Sequence, residues 1–238
     1  INGEIGGQFE INYMIPRGSP LGGKYGTKLS INSALSNSID KSVLADGTRG
    51  QKGTQGYISE YFKFGPTIYF RDLNGSISHK FSKKYKSQIS FFRLKYNKTV
   101  LNDGVGDITL LENPGMDSVI SINAIVLENQ FKLSNGQTIR SELQWSLADG
   151  FRGDMAMALI EWTINHDWTL AVQDIYNYGH PTPSRRIHYP IVSLIHFNGP
   201  TRVQMGYGRQ QQGVFCVGGV CRVVPPSNGL SISLTTSL

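Results

Sequence analysis

The chain has 238 residues, 27 of them glycine, with 39% hydrophobic and 17% charged residues; this length allows a substantial core. Its 11 Phe, 11 Tyr and 3 Trp exclude a disordered chain, and no apolar run approaches the ~18 residues of a transmembrane helix. The formal charge is +6, yet the cations form neither a run nor a helical stripe, so nucleic acid is not an expected partner.

The chain opens with Ile1-Asn2-Gly3-Glu4, neither a translation start nor a targeting segment, which suggests a processed or truncated product. From there the dominant signal is alternation of period 2. Phe9, Ile11, Tyr13 and Ile15 share one face, with Gln8, Glu10, Asn12 and Met14 on the other. Leu29, Ile31 and Leu35 oppose Lys28, Ser30 and Asn32. Further on, Ile139, Leu143, Trp145 and Leu147 oppose Arg140, Glu142, Gln144 and Ser146. Val203, Met205 and Tyr207 oppose Arg202, Gln204, Gly206 and Gly208. Leu230, Ile232 and Leu234 alternate with Ser231, Ser233 and Thr235.

These patterns predict strands at 6–15, 26–37, 70–83, 85–97, 118–133, 137–148, 154–164, 167–178, 188–197, 201–212 and 229–238. Residues 57–64 are the candidate for one more. Segments 118–133 and 188–197 carry apolar residues on both faces.

Such alternation suits a soluble sandwich, with the apolar face inward, or a transmembrane β-barrel, with the apolar face toward lipid. Three features favour the barrel. The polar faces hold Ser, Gly, Asn and Gln rather than the lysines and glutamates of a solvated face. The segments have the length that crosses a bilayer at a tilt of about 45°. Aromatics such as Tyr13, Tyr96, Trp145, Trp162, Trp168 and Tyr207 stand near segment ends, where an interfacial girdle sits.

Loop lengths point the same way. Links at 83–86, 134–136, 165–167 and 198–200 are short, whereas 97–117, 177–187 and 213–229 are long and 148–154 is intermediate. Tight turns at one end and long loops at the other are the outer-membrane pattern. The expected fold is thus all-β, an antiparallel transmembrane barrel forming a single domain over 1–238. Its C-terminus would be periplasmic and its long loops extracellular. Eleven strands is an odd number, so either a complete barrel has further strands ahead of Ile1 or one more strand lies within 38–69.

Cys216-Val217-Gly218-Gly219-Val220-Cys221 reads as a hairpin with a two-residue turn at the glycines. Cys216 and Cys221 then face each other as a cross-strand pair, close enough for a disulfide. Two cysteines without converging partners make a poor metal site, and a disulfide implies an oxidising compartment.

Catalytic constellations are sparse. His79, His166, His180, His188 and His196 lie in no metal-binding motif. His188, Ser184 and Asp174 could be arranged as a hydrolytic triad, but their proximity in one loop region is ordinary. Asp103-Gly104-Val105-Gly106-Asp107 hints at calcium ligation without enough oxygen ligands. No enzyme, cofactor or metal is expected. Glu10, Lys28, Arg140, Glu142 and Arg202 are expected on the inner wall, lining either a passage or a salt-bridged, closed interior.

Several blocks carry a resemblance across nearly the whole chain. They are Arg71-Asp72-Leu73-Asn74, Lys80-Phe81-Ser82-Lys83-Lys84, Asp174-Ile175-Tyr176-Asn177-Tyr178-Gly179 and Arg186-Ile187-His188-Tyr189. Gly206-Tyr207-Gly208-Arg209-Gln210, the cysteine hairpin through Arg222, and Pro225 complete the set. Together they resemble the C-terminal portion of a Bacteroidota outer-membrane β-barrel family of unknown function. Leu238 departs from the terminal Phe of a barrel-assembly signal. The resemblance implies fold and location but supplies no activity. What remains are a structural or accessory subunit of an envelope protein complex and a porin-like passive channel, with a membrane-embedded hydrolase a distant third. The expected partners are outer-membrane lipid and other outer-membrane or periplasmic proteins.

Overall fold

The computed structural model describes residues 3–40, 42–43, 57–60, 62–97, 119–149, 153–217 and 220–236, without the side chains at 43, 57–58, 213–216 and 220–223. In chain order the strands begin with β1 (Glu4–Ile15), β2 (Thr27–Ile39), β3 (Ser42–Val43), β4 (Tyr57–Ile58) and β5 (Phe64–Lys80). Next come β6 (Tyr85–Asn97), β7 (Val119–Lys132), β8 (Thr138–Ala148), β9 (Met155–Thr163) and β10 (Trp168–Asn177). The last are β11 (Ile191–Asn198), β12 (Thr201–Gln210), β13 (Gly213–Val217), β14 (Val220–Val224) and β15 (Ser227–Thr236).

Eleven of them form one antiparallel sheet in the order β1-β2-β5-β6-β7-β8-β9-β10-β11-β12-β15. All eleven long segments read from the sequence are present. They make one sheet rather than the two packed sheets of a sandwich. Among the described residues the sheet is open, with β1 and β15 as its edges. Among the described residues the helical content is two single turns, Ser134–Gly136 and Pro183–Arg185.

By contact density the chain divides into two units. One comprises Ile1–Ile11, Ser30–Gly75 and Phe92–Asn123; the other comprises Asn12–Leu29, Ser76–Phe91 and Ala124–Leu238. In the first, Gly65 approaches Ser38 and Ile39 so closely that a Cβ would fall 2.4 Å from the Ile39 carbonyl oxygen. Lys63 reaches Asp40 at 2.9 Å and Glu60 at 3.6 Å. The hydrogen bond to Asp40, followed by the charges of both carboxylates, holds the Lys63 ammonium above the usual lysine range.

The second unit shows the register most fully. On one face Arg140, Glu161, Ala171, Ser193, Gly206 and Ser231 follow one another across six strands. One residue along, Ile139, Trp162, Leu170, Leu194, Met205 and Ile232 make the matching row on the other face. A one-residue slip in any strand would exchange the two rows, so the registers support one another.

Short turns are closed by local chemistry. The Asn165 carboxamide oxygen accepts from the backbone N–H groups of Asp167 and Trp168, each at 2.9 Å. Ser82 Oγ accepts from those of Lys84 and Tyr85. Asn135 and Gly136 supply the positive φ of the β7–β8 turn, at 59° and 77°. Aromatic rings gather at this end: Phe81 stacks on Tyr85 at 5.2 Å, Tyr85 on Phe131 at 4.6 Å, and Trp168 on His196 at 4.3 Å.

Several boundaries differ from the sequence reading. β5 starts at Phe64, six residues before the expected position 70. Of the candidate strand 57–64, Tyr57–Ile58 pairs with Ser42–Val43, Phe64 opens β5, and between them Phe62 takes a positive φ of 61° that an extended strand does not allow. β11 starts at Ile191 because Pro190 brings no N–H; His188 makes only an isolated bridge to Tyr176.

Candidate functional site

The polar face of β7–β12 holds the charges. Arg140 in β8 stands directly opposite Glu161 in β9, and its Nη1 donates to Glu161 Oε2 at 2.7 Å. Its Nη2 donates to Glu128 Oε2 on β7 at 2.9 Å and also to Glu142, two residues along the same face. Gln144 donates to the other oxygen of Glu142. One guanidinium therefore serves three carboxylates. The side chains of Glu142 and Glu161 are only 11% and 8% exposed, a setting that requires such pairing. Arg supplies it because its fork carries five donors, whereas a lysine offers one compact ammonium.

Arg202, near the start of β12, ties down the cysteine hairpin. Its Nη2 donates to the Val217 carbonyl oxygen at 3.0 Å and to Gln204 Oε1 at 2.9 Å. Val217 and Val224, at the two ends of the β13–β14 hairpin, pack with Leu159, Ala171, Ile191 and Ile195. The hairpin therefore lies along the sheet's polar side and buries the few apolar residues there. Its backbone register places Cys216 opposite Cys221, as the glycine turn predicts. The sulfur pairing itself rests on side chains outside the described ones.

The remaining candidates separate. Glu10 in β1 and Lys28 in β2 are exposed, unlike Arg140, Glu142 and Arg202. Asp103–Asp107 lies outside the described residues. His188 Nδ1 meets Asp174 Oδ2 at 2.6 Å, and its ring stacks on Tyr176 at 4.1 Å. Among the described residues Ser184 makes no side-chain hydrogen bond, so the imagined triad is reduced to a His–Asp pair. His79 meets Thr27 Oγ1 at 2.6 Å and shares ring contact with Phe81. Glu128, Glu161 and Gln173 were missed from the sequence. Glu161 had left a signal, as the lone charge in Met155–Thr163.

A family model for a family of unknown function (DUF6029) matches residues 1–238. The chain belongs to that family. No curated protein and no solved structure shows significant similarity to it.

In this DUF6029 chain the two faces are exposed in the reverse of the soluble order. Tyr207, Leu230, Leu234 and Trp145 are 71%, 71%, 68% and 64% exposed, whereas Ser193, Gln204, Arg202 and Glu161 are 1%, 3%, 6% and 6% exposed. Trp145 Nε1 donates to the Tyr178 hydroxyl at the long-loop end. Beside it, Ala156 and Ala158 leave a shallow apolar groove bordered by Ile125, Leu143, Trp145 and Tyr176. A contiguous apolar face of this extent is foreign to the surface of a water-soluble monomer.

Proposed function

We propose that this chain is a transmembrane β-barrel segment of a bacterial outer membrane, acting as a structural or accessory subunit of an envelope complex without catalysis. The reading is supported by the resemblance to Bacteroidota outer-membrane barrels. The observation that carries it is the inverted sheet: large apolar side chains on the exposed face, with Arg140, Glu161, Arg202 and Gln204 on the buried one. In lipid that arrangement satisfies both faces, since hydrocarbon solvates the apolar row and the interior pairs the charges. The long loops would then be extracellular and the C-terminus periplasmic, with Cys216 and Cys221 bonded in an oxidising compartment.

The hairpin favours a scaffold over a passive channel. It occupies the polar side of β9–β12, where a porin-like passage needs open water. The apolar groove by Trp145 gives the outer face relief that a neighbouring protein can grip.

Purification of the full-length protein in mild detergent, followed by planar-bilayer recording, tests the reading. Stoichiometric envelope partners and a silent bilayer are expected. A protein that elutes alone and conducts as a stable ohmic pore would make the porin-like channel the correct reading.

A further inference from the structure

The outward apolar face carries one group that lipid does not suit. Along the outward faces of β8, β9 and β10, whose residues are all described, Asp174 is the single charged side chain. It alternates with Gln173, 7% exposed, and shares its face with Val172, 48% exposed. His188 Nδ1 meets Asp174 Oδ2 at 2.6 Å, whereas Oδ1 is buried and has no hydrogen-bond partner. Among the described residues no lysine or arginine pairs with this carboxylate. An ionisable group on a membrane-facing surface, with an acceptor left open, marks a contact that the isolated chain does not supply.

Asp174 lines the groove beside Trp145. Strand register builds it: Ala158 stands between Leu143 and Asp174, and Ala156 between Trp145 and Tyr176. Two small residues of β9 thus make a floor between taller walls on β8 and β10. The floor is about 7 Å long, and Ile160, 56% exposed, closes it toward the short-turn end. The walls stand two strand spacings apart, about 10 Å, which admits one side chain but not a helix.

We propose that this groove receives a lysine side chain from a neighbouring subunit of the envelope complex, its ammonium on Asp174 and its methylene stem on Ala156 and Ala158. The inference rests on the subunit reading and names the chemistry of the partner. One carboxylate oxygen is open, which suits a compact ammonium, whereas a guanidinium fork seeks both. A small rotation of the soft terminal torsion of Asp174 turns Oδ1 to that ammonium. The short floor matches a lysine stem, whereas an acyl chain running deeper meets Ile160. On the β7 side Ile125 and Leu127 extend the groove to about 390 Å³, room for apolar side chains flanking the lysine.

Carbodiimide treatment of the full-length protein in native membranes tests the proposal, because this zero-length reagent joins a carboxylate to an amine in contact with it. Peptide mapping should find Asp174 joined through an amide to a lysine of a different polypeptide. The link should be lost in Ala156→Phe, which fills the floor and leaves Asp174 and His188 in place; heat-modifiable migration checks that this variant folds. Asp174→Asn should lower recovery of the same partner in mild detergent at least ~10-fold, and Asp174→Glu should restore part of it. A protein that elutes alone sinks the subunit reading itself. Envelope partners that co-purify without any link to Asp174 would overturn this site and leave that reading standing. A link to a lipid amine or to a lysine of this same chain, or an undiminished link in Ala156→Phe, would overturn it equally.

Discussion

Arg202 donates to the carbonyl oxygen of Val217 across 3.0 Å, and through that bond a strand of the main sheet holds a hairpin that belongs to a different sheet. Arg202 is 6% exposed, so the bond is made away from bulk water. Hydrogen bonds to charged groups contribute about 1.5–3 kcal/mol each. Arg202→Met should therefore lower stability by roughly 2 kcal/mol while preserving much of the side chain's length. Limited proteolysis should cut Arg202→Met within 213–224 faster than the parent chain; equal rates would mean the hairpin is held by its valines alone.

The Arg140 cluster responds differently. Arg140→Met removes the guanidinium that Glu128, Glu142 and Glu161 share, and taking one partner from a buried ion pair costs about 3–5 kcal/mol, an upper bound for this part-exposed cluster. Arg140→Lys should recover only part of this, because one ammonium cannot span Glu128, Glu142 and Glu161 at once. Urea or thermal unfolding of the three proteins in one detergent gives the comparison. Full recovery by lysine would show that charge alone matters there.

Leu234 and Ser233 are neighbours on opposite faces of β15. A cation at the bilayer midplane costs about 2–4 kcal/mol, so Leu234→Arg should impair membrane assembly. Ser233→Arg should be better tolerated. Yields of membrane-extracted, heat-modifiable protein measure both, and equal tolerance would contradict an outward-facing Leu234.

Gly179 packs against the β8–β9 link, donating its N–H to the Asp154 carbonyl oxygen at 3.0 Å. A Cβ there would lie 2.4 Å from the Asp154 nitrogen. Gly179→Ala should destabilise the fold by about 1–3 kcal/mol through overpacking. Gly7→Ala, with nothing within 4 Å of the added carbon, is the control that should leave the melting temperature nearly unchanged.

The register Cys216–Cys221 is that of a directly opposed pair. Non-reducing peptide mapping of membrane-derived protein should find one intramolecular disulfide, and quantitative alkylation of both thiols without reductant would refute it. Cys216→Ser should then lower stability, by less than the ~3 kcal/mol of a 15-residue loop, since the ring closed here is shorter.

The sequence by itself determined the strands. Period-2 alternation survives without tertiary context because successive side chains in an extended backbone must point to opposite faces. Turn chemistry did the same for the short links, through Asn165, Ser82 and the Asn135-Gly136 pair. Where local signals were weak the boundaries drifted: β5 begins with Phe64-Gly65-Pro66, whose glycine and proline read as a break although the chain stays extended.

Alternation alone is symmetric, since the pattern that places Leu234 opposite Ser233 suits either orientation; the polar-face composition and loop lengths led to the apolar face being expected outward, and the assembled sheet decides the exposure. Only the assembled sheet shows the leucine exposed at 68% and Gln204, in register with Ser233, at 3%. The partners of Arg140 were equally hidden, since Glu128 and Glu161 lie 12 and 21 residues away along the chain. Strand register brings them together, and no local propensity encodes it. The seat of the cysteine hairpin has the same origin. Its glycine turn fixes the hairpin's shape, but Arg202 and the apolar island of Leu159, Ala171, Ile191 and Ile195 decide where it rests, because burial depends on what the rest of the chain presents.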